Sequence, residues 1–138
     1  MYRTITDGYV LDDDPSRVDR DRVCRFLQES SYWARDRPRE IIEASIEGSD
    51  RVIGLYRDSV QVGFARVVSD GATQAYLADL YVEEDHRGRG LGKQLVAEAV
   101  DRGPHKNLKW LLHTADANEL YQKYGFGPAS TLVMERRR

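Results

Sequence analysis

The spacing of apolar positions divides the chain into strands and helices. Residues 4–11 read as a first strand, and "DDDPSRVDRD" then supplies turn residues and helix-start signals. Val23, Phe26 and Leu27 recur at helical spacing, which predicts a first helix over residues 16–30. "SYWARDRPRE" breaks that pattern, and Pro38 suits the first turn of a second helix in which Ile41, Ile42, Ser45 and Ile46 share a face and Gly48 marks the end. "RVIGLYRDSVQVGFARVV" predicts two short strands joined by a turn at residues 57–59, and "SDGAT" is a further turn before the run 74–82. Three neighbouring antiparallel strands are the expected arrangement.

Beyond residue 82 the pattern changes to "DHRGRGLGKQL", with three glycines and two arginines, followed by a helical stripe of Leu95, Val96, Ala99 and Val100 that Gly103 and Pro104 end. Residues 110–113 read as a short buried strand. Asp116 and Glu119 have capping-box spacing, which predicts a helix over 117–124 stopping at Gly125, and "STLVMER" reads as a last strand. Strand, glycine loop, helix and strand make a βαβ unit whose two strands should be parallel.

Composition narrows the class. With 41% hydrophobic residues, the 138-residue chain has enough apolar surface for one core, so residues 1–138 are read as a single domain. A net charge of −2 gives no overall basic field for nucleic acid, although "RGRG" and the terminal "ERRR" leave that reading as a rival. Cys24 is the only cysteine and the three histidines are scattered, so no metal is expected. The absence of an apolar signal core or a long apolar run leads to a cytoplasmic address with no membrane partner.

At the start of a helix the first amides have no intrahelical partner, and glycines let phosphate oxygens approach them; Arg87, Arg89 and Lys93 add positive charge. An exposed turn with glycines at positive φ is the competing explanation. The spacing excludes two familiar phosphate loops. A Walker loop needs Ser or Thr where Gln94 stands, and a dinucleotide fingerprint needs G-x-G-x-x-G where Gly88, Gly90 and Gly92 give G-x-G-x-G.

The segment "RGRGLG", with Arg87, Gly90 and Gly92, resembles the acyl-CoA loop of the GCN5-related N-acetyltransferases (GNAT). "YLADLYVEEDHRGRGLG" is similar to the fourth strand and loop of that family, and "ANELYQKYGF" to its Tyr-x-Lys-x-Gly-Phe helix. The resemblance spans residues 75–127. It implies a mixed α/β fold: a central, mostly antiparallel sheet with parallel, splayed fourth and fifth strands and flanking helices.

The resemblance also implies roles. Leu80, Tyr81 and Val82 would lend backbone groups to the pantetheine arm, and an amide near Leu80 or Tyr81 would polarise the thioester oxygen. Arg87, Gly88, Arg89, Gly90, Leu91, Gly92 and Lys93 would hold the pyrophosphate of coenzyme A. Tyr121 aligns with a tyrosine that many members use as a general acid. Ala78 stands where polyamine acetyltransferases of the family carry a glutamate, which leaves Asp79, or a water it orients, as the candidate base. Thr114 replaces an asparagine that many members use on the cofactor, and Asn118 is a partial substitute.

Tyr32 and Trp33, between the first two helices, are the candidate acceptor-binding residues, with Asp36 and Glu40 as possible ammonium partners; for Trp33 a core position is the competing reading. The expected activity is direct transfer of an acetyl group from acetyl-CoA to a primary amine of a small molecule or peptide, by a monomer or homodimer. The alternative is an acyl-CoA-binding sensor of the same fold without turnover.

Overall fold

The computed structural model describes residues 1–137. Its centre is a six-stranded sheet in the order β1 (Tyr2–Thr4), β2 (Tyr9–Asp12), β3 (Arg51–Arg57), β4 (Val60–Ser69), β5 (Gln74–Val82) and β6 (Lys109–Leu111). Neighbours are antiparallel except β5 and β6, which run parallel. The single strand expected over residues 4–11 is instead a hairpin. Asp7 (φ 56°) and Gly8 (φ 79°) adopt left-handed backbone and reverse the chain.

The first helix begins later than its apolar spacing suggested. Asp19 caps it by accepting from the Arg22 amide, so α1 covers Arg20–Glu29, with a separate turn at Pro15–Arg17. Pro38 is the N-cap of α2 (Arg39–Glu47). Ile42 and Ile46 are buried on that helix while Ile41 is exposed. α1 and α2 cover one sheet face through Val23, Phe26, Leu27, Ile42 and Ile46, packed with Val52, Phe64 and Tyr81.

The other face is covered by α3 (Leu91–Val96), which continues as a wider π turn over Ala97–Arg102. Leu91, Leu95, Val96, Ala99 and Val100 are buried there against Ile53, Leu55, Ala65, Val67 and Leu77. Glu98 is also buried, at 1% exposure, because Arg51 Nη2 (3.0 Å) and Arg3 Nε (2.8 Å) donate to its carboxylate. These bonds tie the π turn to β3 and β1.

α4 (Asn118–Gln122) is shorter than the predicted 117–124, and Asp116 does not cap it. Ala117 is the N-cap, with no side chain on the first-turn amides, and Thr114 Oγ1 accepts from the amide of Ala117 itself at 3.0 Å. "STLVMER" forms no strand. Its start is a turn in which Val133 N donates to Ser130 O, and Leu132 and Met134 remain 88% and 94% exposed beside the outer edge of β6. A cavity of about 850 Å³ runs along that edge, lined by Trp110, Leu112, Tyr121 and Val133 among others. No helix among the described residues is long and apolar enough to cross a membrane.

Candidate active site

The geometry of the site begins with a defect in the sheet. β4 and β5 pair in register through Arg66↔Ala78, and the register resumes only at Phe64↔Tyr81. Asp79 and Leu80 therefore oppose Ala65 alone, a β-bulge, with Asp79 at φ 52° in left-handed backbone. Beside the bulge, β5 and β6 part company: their last registered pair is Tyr76↔Leu111, although β5 continues to Val82. The β5 edge from residue 77 onward is thus left open on the β6 side.

Glycine permits the bulge to sit close to β4. A Cβ on Gly63 would lie 2.9 Å from the Tyr81 carbonyl oxygen. Leu80 packs against the α3 face, with Val82 buried on the same side. The Tyr81 ring is stacked on Phe26 at 3.7 Å on the opposite face. Burial pushes the Tyr81 phenol far up, so this side chain is core and its backbone is what borders the opening.

At the end of β5 the glycine loop turns into α3. Gly88 (φ 78°) and Gly90 (φ 76°) are left-handed, and Gly90 is the N-cap residue. Gly92 differs. Its φ is ordinary, and a Cβ there would meet only Leu120 Cδ2 at 3.8 Å. The fold itself does not require glycine at 92, and the bare backbone leaves room for a group approaching the amides of the first turn. Arg87 Nε donates to the Val82 carbonyl at 2.9 Å and so pins the loop to β5. Arg89 and Lys93 are exposed, and contact with Lys123 holds the Lys93 ammonium below its usual pKa. This cradle of amides and cations fits the pyrophosphate of coenzyme A.

Tyr121 lies on α4 at 9% exposure, with Phe126 edge-on at 6.0 Å. Burial, with smaller contributions from Tyr32 and Asp116, pushes its phenol up to about 12, so it carries its proton at neutral pH. Tyr124, one turn on, ties α4 to α3 by donating to the Lys93 carbonyl at 2.9 Å. Asn118 is exposed at the start of α4.

The segment between α1 and α2 closes the other side. Trp33 is 39% exposed, against the core reading, and stands edge-on to Tyr32 at 5.1 Å. The Tyr32 hydroxyl accepts from the Ala115 amide at 2.9 Å, which carries this segment across to the stretch after β6. Asp36 and Glu40 are exposed.

Asp79 has a different task from the one its position suggested. Its side chain is 3% exposed and accepts from Trp33 Nε1 (2.8 Å), Arg37 Nη1 (2.8 Å) and Arg66 Nε (2.7 Å). Burial alone would raise its pKa, but Arg66, Arg37 and Trp33 outweigh burial and hold it below the usual carboxylate value. A carboxylate so occupied is a poor proton acceptor and a strong tie. It fastens the 31–38 segment to the bulge.

The model of the acetyltransferase (GNAT) domain matches residues 48–128, which contain β3 to β6, the glycine loop and α4. The chain belongs to the GNAT family. This GNAT chain is 29% identical over 137 residues to a Gibberella zeae protein named as an acetyltransferase, FG08082, with 83% of the chain and 76% of the relative covered. A GNAT-family crystal structure from Xanthomonas campestris pv. campestris shares 37% identity and superposes with a TM-score of 0.89, covering 94% of this chain and 93% of that one. A GNAT acetyltransferase of Elizabethkingia anophelis, solved with acetyl-CoA bound, has a TM-score of 0.67 at 17% identity over 91% of this chain and 80% of its own, a likeness of fold. The expected mixed sheet with one parallel pair is thus the GNAT architecture.

Proposed function

We propose that this GNAT chain transfers an acetyl group from acetyl-CoA directly to a primary amine of a small molecule or peptide. The observation that carries the reading is the β5 edge beyond Tyr76, unpaired with β6, which lies alongside the bulge at Asp79 and Leu80 and runs on into the glycine loop.

When bound, acetyl-CoA supplies the activated acetyl group. The amides of residues 90–93, with Arg89 and Lys93, hold the pyrophosphate; Gly88 gives the loop its turn and Arg87 anchors it to β5. Backbone groups of Leu80, Tyr81 and Val82 pair with the extended arm, and Asn118 adds a side-chain contact. An amide at residue 80 or 81 donates to the carbonyl oxygen on which negative charge develops. Tyr121, protonated at neutral pH, gives its proton to the departing thiolate. Tyr32 and Trp33 frame the acceptor, and Asp79 holds them in place.

The test is release of coenzyme A thiol by the purified chain with acetyl-CoA and four amines: benzylamine, glucosamine, an alanyl tripeptide amide and Nα-acetyl-lysine amide. Amine-dependent release above background supports the enzyme. A protein stabilised by coenzyme A that releases no thiol with any of the four would favour the acyl-CoA sensor.

A further inference from the structure

Direct attack needs a neutral amine, so the acceptor's ammonium must lose a proton within the cleft. Asp79 is committed to three donors, and the task falls to a group that still has a free lone pair.

Such a group stands three residues upstream. Tyr76 is half-buried on β5 and is the last residue registered with β6 before the two strands separate. Its hydroxyl is hydrogen-bonded to Nδ1 of His113, in the stretch leaving β6. On the other side of the ring, His113 Nε2 lies 2.8 Å from Glu135 Oε2. The order of partners fixes the protons. An ionised carboxylate only accepts, so Nε2 carries the hydrogen; neutral His113 then presents a lone pair at Nδ1, and the Tyr76 hydroxyl donates to it. The charges facing this chain of groups are Asp79 of β5, Arg66 of β4 and Arg37 of the α1–α2 segment around Tyr76, and Arg137 on Glu135.

We propose that Tyr76 and His113, steadied by Glu135, form the proton outlet for the acceptor amine. One N–H bond of the bound ammonium breaks, and its proton passes to the Tyr76 oxygen while the Tyr76 proton moves to His113 Nδ1. The nitrogen keeps the electron pair and uses it on the acetyl carbon. The imidazolium, paired with Glu135, then releases the proton to water, to which a ring 66% exposed has access. This inference rests on the proposed transfer to an amine.

Two measurements test it. The first needs no turnover: nitrogen NMR of the free protein, with the His113 signal identified by its loss in His113→Gln. The expected state at neutral pH is the Nε2–H tautomer, shifting toward a mixture in Glu135→Gln. An Nδ1–H tautomer in the wild type overturns the relay.

The second is the pH profile of kcat/KM for whichever of the four amines turns over fastest. Tyr76→Phe and His113→Gln should lower kcat/KM by about 10² or more, with coenzyme A affinity kept, and His113→Gln should erase the acidic limb. Glu135→Gln should cost about tenfold, as a positioning residue does. A His113→Gln protein that keeps its acidic limb and its rate overturns the relay while leaving the transferase intact. A wild type that turns over none of the four amines fails the proposed function and the relay with it.

Discussion

Replacing Asp79 by asparagine removes the charge from a carboxylate that two guanidiniums and an indole share, and sets an amide NH₂ where only acceptors fit. The side chains involved are 3% exposed for Asp79, 14% for Arg66 and 24% for Arg37. Breaking a buried ion pair costs about 3–5 kcal/mol, and the partial exposure of the arginines places this case at the low end, about 3 kcal/mol. For a chain of this size that corresponds to a fall in Tm of roughly 10 °C. Asparagine tolerates the left-handed backbone at 79, so the loss belongs to the carboxylate. Alanine adds a backbone cost of about 1–2 kcal/mol that glycine does not, so Asp79→Gly should be more stable than Asp79→Ala. The pH dependence has a definite sign. Asp79's folded pKa lies below its ordinary 3.8, so its contribution is complete above that value and fades as pH falls through the folded pKa. Urea melts of wild type and Asp79→Asn should therefore differ by about 3 kcal/mol at pH 7, keep that difference down to the ordinary carboxylate value of 3.8, and converge only as pH falls further, through the depressed folded pKa. Hydrogen exchange should show residues 31–37 losing protection in the variant. Equal stabilities at pH 7, or unchanged protection of that segment, would refute the clamp.

Gly92→Glu should fold with a Tm within a few degrees of wild type, since φ is ordinary and a Cβ fits, yet lose the thermal stabilisation by coenzyme A; a retained shift would detach the loop from the pyrophosphate. Tyr121→Phe keeps the ring and should lower kcat by about 10²–10⁴ with coenzyme A affinity unchanged, measured in single turnovers. Glu98→Gln removes one of the two carboxylates on buried Arg51, leaving Asp13 Oδ2 on its Nε at 2.9 Å, and should cost about 2 kcal/mol in urea unfolding. Trp33→Ala should raise the amine KM, with coenzyme A affinity nearly intact by calorimetry.

The parts of the fold that were legible in the sequence are those whose signals are local. The strand Gln74–Val82 agrees with the expected run because turn residues flank it closely, and the turn at 57–59 agrees because Asp58 and Ser59 accept positive φ. The β1–β2 hairpin had its own signal, Asp7-Gly8, an ordinary reversal dipeptide inside the stretch read as one strand. The buried Glu98 was hidden for another reason. It lies among apolar neighbours on a helix that widens into a π turn, and only residues far off in the sequence, Arg51 of β3 and Arg3 of β1, make a carboxylate tolerable there. Asp116 matched a cap by spacing, but α4 starts one residue later than that spacing implies, with Ala117 as its N-cap and no side-chain cap.

The site divides along the same line. Loop glycines announce themselves because backbone conformation and close approach are properties of single residues, so Gly88, Gly90 and Gly92 stood out without a fold. Asp79 was legible only as a carboxylate near the end of a strand. Its partners come from three separate stretches, Trp33 and Arg37 from a connecting segment and Arg66 from the next strand. Which residue of β4 faces Asp79 depends on a bulge that shifts the register by one, and no count along the sequence contains that shift. A one-residue change in pairing would turn the Arg66 guanidinium to the other face of the sheet and leave the carboxylate free to act as a base. The chemistry assigned to Asp79 is thus decided by sheet register, and the register is supported by groups away from the reacting atoms: Gly63, whose bare Cα lets the Tyr81 carbonyl approach, and the side-chain stack of Phe26 on Tyr81, which holds the strand beyond the bulge on its face.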